Sequence, residues 1–396
     1  MRGCFIDPEN ASFGRSKQVP KDKLSVMVLG LRGLQGIQGG VEAHASNLYP
    51  LLVDRGCKVE AIVRSPFYNK TEPRHWQGIR LRVLWSPQTS GLEAFIHTFI
   101  GILYAAIKRP DILHIHAVGP MIMTPLARLF GLRVVVTHHG SDYDREKWGR
   151  FARWILRTGE SLGVRYAGVC IVVSDVMRKL IKDKYKTEAV FIPNGVRIPQ
   201  LLRTNNVLQK FKLEPLNYVL QVSRFVPEKR QVDLIRAFER SKLANWKLVL
   251  VGTICEEEKY SKEIISYSKN NKNIVLTDFQ TGSSLQELYS NAGLFVLPSS
   301  HEGLPIALLE ALSYGLKAFA SDIPANIEIG LSPESYFALG DINQLAELLN
   351  KESSLEYTDE ERNEVREWVK IRYNWDNIAE QTLTIYKQVL SSKRPA

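Results

Sequence analysis

Short apolar runs rich in β-branched residues alternate with longer amphipathic stretches from Leu24 onward, and they do so in two separate series. LSVMVLG, KVEAIV, LRVLW, DILHIH, RVVVTH and GVCIVVS form the first series, with helical periodicity at 41–55, 92–108, 145–160 and 175–185 between most of them. NYVLQVS, WKLVLVG, NIVLTD, LFVLPS and KAFASD form the second, which starts after the polar stretch PQLLRTNN. Strands that are apolar throughout and separated by helices belong to parallel sheets covered on both faces. The pattern therefore predicts an α/β chain of two Rossmann-like domains joined near residues 196–212. We delimit a flexible N-terminal extension at 1–23, a first domain at 24–200 and a second at 201–374. The closing pattern WDNIAEQTLTIYKQVL makes 375–396 a helix expected to pack back on the first domain. In open parallel sheets, ligands bind beyond the carboxyl ends of the strands, so the loops there hold the candidate chemistry.

A chain of 396 residues with 44% hydrophobic and 24% charged content is that of a folded globular protein. Its longest nearly apolar window, AFIHTFIGILYAAI at 94–107, falls short of the ~20 residues a membrane-spanning helix needs. His97 and Thr98 interrupt it, and a buried helix is expected. The N-terminus shows no apolar h-region and no cleavage site, which argues against export. Cys4, Cys57, Cys170 and Cys255 are scattered and form no C-x-x-C pair, as expected for free thiols in a reducing cytosol.

The net charge of +10 is concentrated at 145–186, where eleven lysines and arginines face four acidic residues. Within EKWGRFARWILR, Arg150, Arg153 and Arg157 recur at helical spacing while Trp148, Phe151 and Ile155 take another face. A basic amphipathic helix suits an anionic membrane surface or an anionic substrate, and equally a solvated face over a core stripe. No nucleic-acid motif accompanies the charge.

Two loops carry the strongest local signals. GLRGLQGIQGGVEAH, residues 30–44, sets five glycines behind the first strand. It contains neither the G-K-[ST] of a P-loop nor a clean G-x-G-x-x-G. LFVLPSSHEGLPIALLEA, residues 294–311, reads as a strand, a polar loop and a helix entered at Pro305. Glu302 then stands on the lip of the crevice, Glu310 lies about two turns into the helix, and the free N–H groups near Gly303, Leu304, Pro305 and Ile306 offer an anion site.

E-G-L-P-I-A-L-L-E resembles the E-x7-E motif of family 4 glycosyltransferases, and the likeness spans nearly the whole chain. GGVEAHASNLYPLLVDRGCKV resembles their first loop and helix, VSRFVPEKRQVDLIRAF their phosphate-binding segment, PNGV their interdomain turn and W…IAEQ…Y their return helix. HHGSDYDREKW resembles a subgroup associated with bacterial surface polysaccharides. The resemblance implies a GT-B fold, two Rossmann-like domains facing across a cleft, and a retaining, metal-independent enzyme with no cofactor. It implies a UDP-, GDP- or dTDP-sugar donor and an acceptor in capsule, O-antigen or exopolysaccharide synthesis, here expected to be lipid-linked. The expected location is the cytoplasm, peripheral on the inner face of the membrane.

Carried over by position, Arg224 and Lys229 would clamp the donor diphosphate, Glu302 would contact the donor sugar and Glu310 the ribose hydroxyls. Gly39 and Gly40 would lie near the diphosphate, and Gly303, Leu304, Pro305 and Ile306 would line the donor site. His139 would lie beside the transferred sugar. His138 doubles it, and the choice rests on alignment to Gly140. Arg230 departs from a frequent glycine and Lys317 from a common proline. DYD at 142–144 and HIH at 114–116 have spacings seen in metal sites, yet neither has a further ligand evident in sequence, and no metal is expected. The rivals are a nucleotide-sugar 2-epimerase of the same fold, a non-catalytic sugar-binding subunit and an NAD-dependent dehydrogenase. The last lacks the acidic residue expected after the second strand, where IVRSP stands.

Overall fold

The computed structural model describes residues 23–392 except 35, 38, 70, 72, 90, 91, 145–148, 203, 205, 255–257 and 354–356. The N-terminal extension, Cys4, Trp148 and Cys255 lie outside the described residues.

Among the described residues, fourteen strands form two sheets. The first sheet takes β1 (Ser25–Leu29), β2 (Lys58–Arg64), β3 (His75–Trp76), β4 (Ile79–Leu84), β5 (Ile112–His116), β6 (Val134–His138), β7 (Val169–Val172) and β8 (Val190–Phe191). The second takes β9 (Tyr218–Val222), β10 (Lys247–Val251), β11 (Ile274–Leu276), β12 (Leu294–Leu297), β13 (Lys317–Ser321) and β14 (Tyr336–Phe337). Their orders are β3-β4-β2-β1-β5-β6-β7-β8 and β11-β10-β9-β12-β13-β14. All pairings are parallel except the short β3–β4 hairpin. In both sheets the chain works outward from one central strand and then returns to its other side, which places switch points at β1/β5 and β9/β12. Crevices open at such points because successive loops leave in opposite directions.

The strands are apolar because both faces are covered. Val26, Val28, Val59 and Ala61 face one core layer, while Met27, Leu29, Ile62 and Leu113 face another. Trp375, Ile378, Leu383 and Tyr386 of the helix Trp375–Ser391 enter the first layer, so the last helix packs on the first unit. The two crossings between units run side by side, with the Val196 N–H donating to the Tyr373 carbonyl at 2.8 Å.

One expectation fails. The window at 94–107 lies in the helix Leu92–Lys108, but that helix is buried on one side only. It packs through His97, Thr98, Gly101, Ile102 and Ala105. A Cβ on Gly101 would come 2.4 Å from Leu29 Cδ2, so small residues serve a close approach to the sheet. The large apolar side chains Leu92, Phe95, Phe99, Leu103 and Ile107 are left outside, Ile107 at 79% exposure. The near absence of charge concealed this reversed amphipathicity. The basic helix spans Arg150–Tyr166 and runs past the expected end at 160, while residues 145–148 lie outside the described residues.

Candidate active site

The glycine loop follows β1, and its first residue shows why glycine is needed there. Gly30 has φ +98°, and a Cβ on it would lie 2.1 Å from the His116 carbonyl oxygen at the end of β5. The loop ends at Gly39, which precedes the helix Gly40–Asp54 without any side-chain cap. Arg32 within the loop is fixed by a bidentate pair with buried Glu42, its Nε 2.9 Å from Oε1 and an Nη 3.0 Å from Oε2. Sequence reading did not single out Glu42, although it shares the first helical turn with Gly40.

Across the cleft, the segment after β9 is held by two buried glutamines. Gln221 Nε2 donates to the Lys229 carbonyl at 3.0 Å, and Gln231 Nε2 donates to the Arg224 carbonyl at 2.8 Å. Arg224 and Lys229 are thereby set on one stapled turn. The Ser300 N–H donates to the Glu228 carbonyl at 2.9 Å and ties that turn to the loop after β12. Lys229 Nζ accordingly meets Glu302 Oε1 at 2.5 Å, both side chains mostly enclosed. Glu302 does not cap the following helix: Pro305 precedes Ile306–Ser313, and no side chain caps it. Arg230 has φ +53°, the left-handed region that favours glycine, and its Nε donates to Asp233 at 2.6 Å. The departure from the family pattern at this position is thus conformational.

The two units touch through these loops. A Cβ on Gly303 would lie 1.8 Å from the His139 carbonyl oxygen, and one on Gly40 would lie 3.9 Å from Ile306 Cδ1. Two helix N-termini, each uncapped by a side chain, therefore face one another, one from each unit. Each presents free N–H groups and the positive end of a helix dipole. Leu304 and Pro305 are buried beside this junction.

Glu310 keeps some exposed surface, yet its carboxyl is surrounded by protein. Burial pushes its pKa up to about 7, against the opposing effect of a 3.1 Å hydrogen bond from the Tyr289 hydroxyl. Tyr289 lies far upstream with no motif around it and was not anticipated.

The histidine pair separates clearly. His138 is fully buried, its Nε2 2.8 Å from Glu160 Oε1, and Glu160 also accepts from Tyr143, Lys184 and Tyr185. His139 is partly exposed, with Nε2 2.9 Å from His116 Nδ1. DYD forms a single turn whose Tyr143 points into the core. Ring nitrogens of His44, His116 and His139 lie within 4.8 Å of one another, a spacing a metal ion can use. In this structure the facing nitrogens of His116 and His139 are engaged with each other, and His44 Nδ1 is 2.8 Å from Asn194 Oδ1.

Arg150, Arg153 and Arg157 lie on the helix Arg150–Tyr166, which packs against the turn Asp142–Asp144 that follows His139 and Gly140. Arg157 sits over the Tyr143 ring, 5.2 Å from its centroid. Phe151 and Trp154 stack on the outer side of this helix, Phe151 at 74% exposure.

Comparison with known proteins decides the family. The model of Glycosyltransferase Family 4 matches residues 38–198, and that of Glycosyl transferases group 1 matches residues 204–371. The chain belongs to glycosyltransferase family 4. This glycosyltransferase is 26% identical to the capsular polysaccharide biosynthesis glycosyltransferase CapH of Staphylococcus aureus, over 60% of this chain and 67% of that protein. It is 29% identical to an uncharacterized glycosyltransferase of Methanocaldococcus jannaschii, over 89% of this chain and 95% of the relative. Among solved structures, sucrose-phosphate synthase from Thermosynechococcus elongatus superposes with a TM-score of 0.77 at 18% identity, covering 93% of this chain and all of that one. Anabaena HepE, solved with UDP and glucose, gives a TM-score of 0.74 at 17% identity over 92% of this chain and all of HepE. These likenesses establish the GT-B fold, two Rossmann-like units across a cleft.

Proposed function

We propose that this glycosyltransferase moves a sugar, with retention of configuration and without a metal, from a nucleotide diphosphate-sugar to an acceptor hydroxyl in surface-polysaccharide synthesis. One observation carries the reading: two uncapped helix N-termini meet across the cleft, on the loop where Glu302 holds Lys229. Departure of a nucleoside diphosphate builds negative charge on the β-phosphate while the anomeric carbon becomes cationic. Backbone N–H groups, Arg224 and Lys229 would stabilise that charge without reorganisation, in the role a metal ion fills elsewhere. Glu310 would take the ribose hydroxyls and His139 the transferred sugar. Glu302 is engaged with Lys229, which supports front-face attack, the departing phosphate accepting the acceptor's proton, over a covalent carboxylate intermediate. Closure of the cleft would exclude water that otherwise hydrolyses the donor.

For the acceptor we favour a polyprenyl-diphosphate-linked saccharide at the inner face of a bacterial membrane. Exposed Phe151 and Trp154 beside Arg150 and Arg157 suit an anionic lipid surface, and Leu92, Phe95 and Phe99 extend the apolar area on the same unit. No described helix is long and apolar enough to cross a membrane. The reading is tested with UDP-, GDP- and dTDP-sugars of α configuration, incubated with lipid-linked saccharide acceptors in the presence of a chelator. An α-linked product from one of them is expected; a β-linked product, a chelator-abolished reaction, or epimerised donor with no transfer overturns it.

A further inference from the structure

Five aromatic side chains, four of them buried, connect the C-terminal helix to the cleft. Tyr386 of the helix Trp375–Ser391 places its hydroxyl 2.6 Å from His114 Nδ1, and His114 Nε2 lies 2.7 Å from Thr137 Oγ1. The Tyr49 hydroxyl lies 2.5 Å from His116 Nε2 and 3.0 Å from His114 Nδ1. His116 Nδ1 lies 2.9 Å from His139 Nε2. Tyr49, His114, His116 and Tyr386 are completely enclosed, so each polar hydrogen must find its partner within the chain.

That enclosure makes the proton positions deducible. A neutral imidazole has one N–H and one lone pair, and a phenol has one proton to give. Phenols are the stronger donors and imidazole nitrogens the stronger acceptors, so both tyrosines donate. The buried Thr137 hydroxyl has His114 Nε2 as its one hydrogen-bond partner among the described residues and donates to it, so His114 carries its proton on Nδ1 and donates it to the Tyr386 oxygen at 2.6 Å. Tyr386 passes its own proton to the Tyr49 oxygen, with which it is hydrogen-bonded, and Tyr49 then has one acceptor remaining, His116 Nε2. With that nitrogen occupied, His116 carries its proton on Nδ1 and donates it to His139 Nε2. Burial, together with neighbouring histidines, holds His114 near a pKa of about 3 and lowers His116 and His139 well below the ordinary imidazole value, so each ring has a single proton to place.

We infer that Tyr386 and Tyr49 act with His114 and His116 as positioning residues that hold His139 as its Nδ1–H tautomer, so that the cleft histidine meets its ligand as a hydrogen-bond donor. The role assigned to the donated bond rests on the reading that His139 faces the transferred sugar; the tautomer itself does not. A donor at that place can bind a sugar hydroxyl, whereas the opposite tautomer would offer only a lone pair. The C-terminal helix thereby contributes to the cleft chemistry through buried side chains.

The experiment is long-range ¹H–¹⁵N correlation on histidine-labelled full-length protein, for the wild type, Tyr386→Phe and Tyr49→Phe. His139 is expected to carry its proton on Nδ1 in the wild type and to become a mixture of tautomers in Tyr49→Phe, with a smaller change in the same direction in Tyr386→Phe. Parallel assays should show kcat falling on the order of tenfold in Tyr49→Phe with the donor KM nearly unchanged, a partial loss of a donor whose complete removal costs on the order of 100- to 1,000-fold. A wild-type His139 protonated on Nε2, or a tautomer unaltered in both variants, overturns the inference. Should no sugar transfer be found at all, the functional reading fails while the tautomer result still stands or falls by the spectrum.

Discussion

The carbonyl oxygen of His139 occupies the place where a side chain on Gly303 would begin, 1.8 Å from the ideal Cβ position. These residues belong to different units, so this contact limits how closely the two halves of the cleft approach here. Gly303→Ala should leave each sheet intact and force the units apart by about the width of a methyl group. A displacement near 1 Å between reacting groups costs on the order of 100-fold. We expect kcat/KM to drop by that order, with a thermal melt within a few degrees of the wild type. Unaltered kcat/KM would separate the contact from function.

Glu310 is predicted to give the proposed donor site a pH dependence. Its folded pKa of about 7 lies above the 4.5 of an unperturbed glutamate, chiefly because the carboxyl is buried. On the proposal that Glu310 accepts hydrogen bonds from the ribose hydroxyls of the sugar donor, the carboxylate is the better acceptor, so donor affinity should rise several-fold as pH goes from 6 to 8. Glu310→Gln should flatten that rise in calorimetric titrations. Stability runs the other way. A raised folded pKa favours the native state below the unfolded value of 4.5, and this contribution is lost as pH rises through about 7. Glu310→Gln should therefore melt higher than the wild type at pH 8 and show no advantage at pH 4.5.

Glu160 shows the opposite sign. Burial alone would raise its pKa, but hydrogen bonds from His138, Lys184 and Tyr185 outweigh it and hold the carboxyl at about 2. Its stabilising contribution is present above the ordinary glutamate value of 4.5 and is lost as pH falls towards 2. Removing one partner of such a buried network costs about 3–5 kcal/mol. Chemical denaturation of Glu160→Ala should show that loss at pH 7, and the difference from the wild type should narrow below pH 4.

The basic helix Arg150–Tyr166 is predicted to hold the protein on anionic vesicles at low salt. Reversal of Arg150, Arg153 and Arg157 to glutamate should abolish co-flotation, since each basic residue near such a surface contributes about 1 kcal/mol. Equal flotation of the two proteins would remove the membrane from the account.

Much of this architecture was legible because parallel strands covered on both faces must be apolar along their length, and the two series of such runs became the two sheets. The ion pair of Lys229 with Glu302 was not foreseen, since the two residues were carried over separately by resemblance. What the residues did not disclose depended on distant partners. His138 and His139 look alike in sequence, and only Glu160, brought in by another helix, draws the first into the core. Tyr386 reaches His114 across 272 residues of chain. The helix Leu92–Lys108 misled because its sheet-facing side is built from small residues and its large apolar side chains face outward. Arg230 replaces a frequent glycine by accepting the left-handed conformation itself, at a cost of about 1 kcal/mol.

The central claim is that the Lys229–Glu302 loop and the two facing helix N-termini bind a nucleoside diphosphate. The most direct measurement is a thermal-shift panel of UDP, GDP, dTDP, ADP and their sugar conjugates on the wild type and on Lys229→Ala. Ligand binding raises Tm by mass action, by about 2.7 kcal/mol of stabilisation at one hundred times Kd. One nucleoside diphosphate and its sugar conjugate should raise the wild-type Tm by several degrees and leave folded Lys229→Ala nearly unshifted. No shift with any of them, or an equal shift in both proteins, would contradict the account.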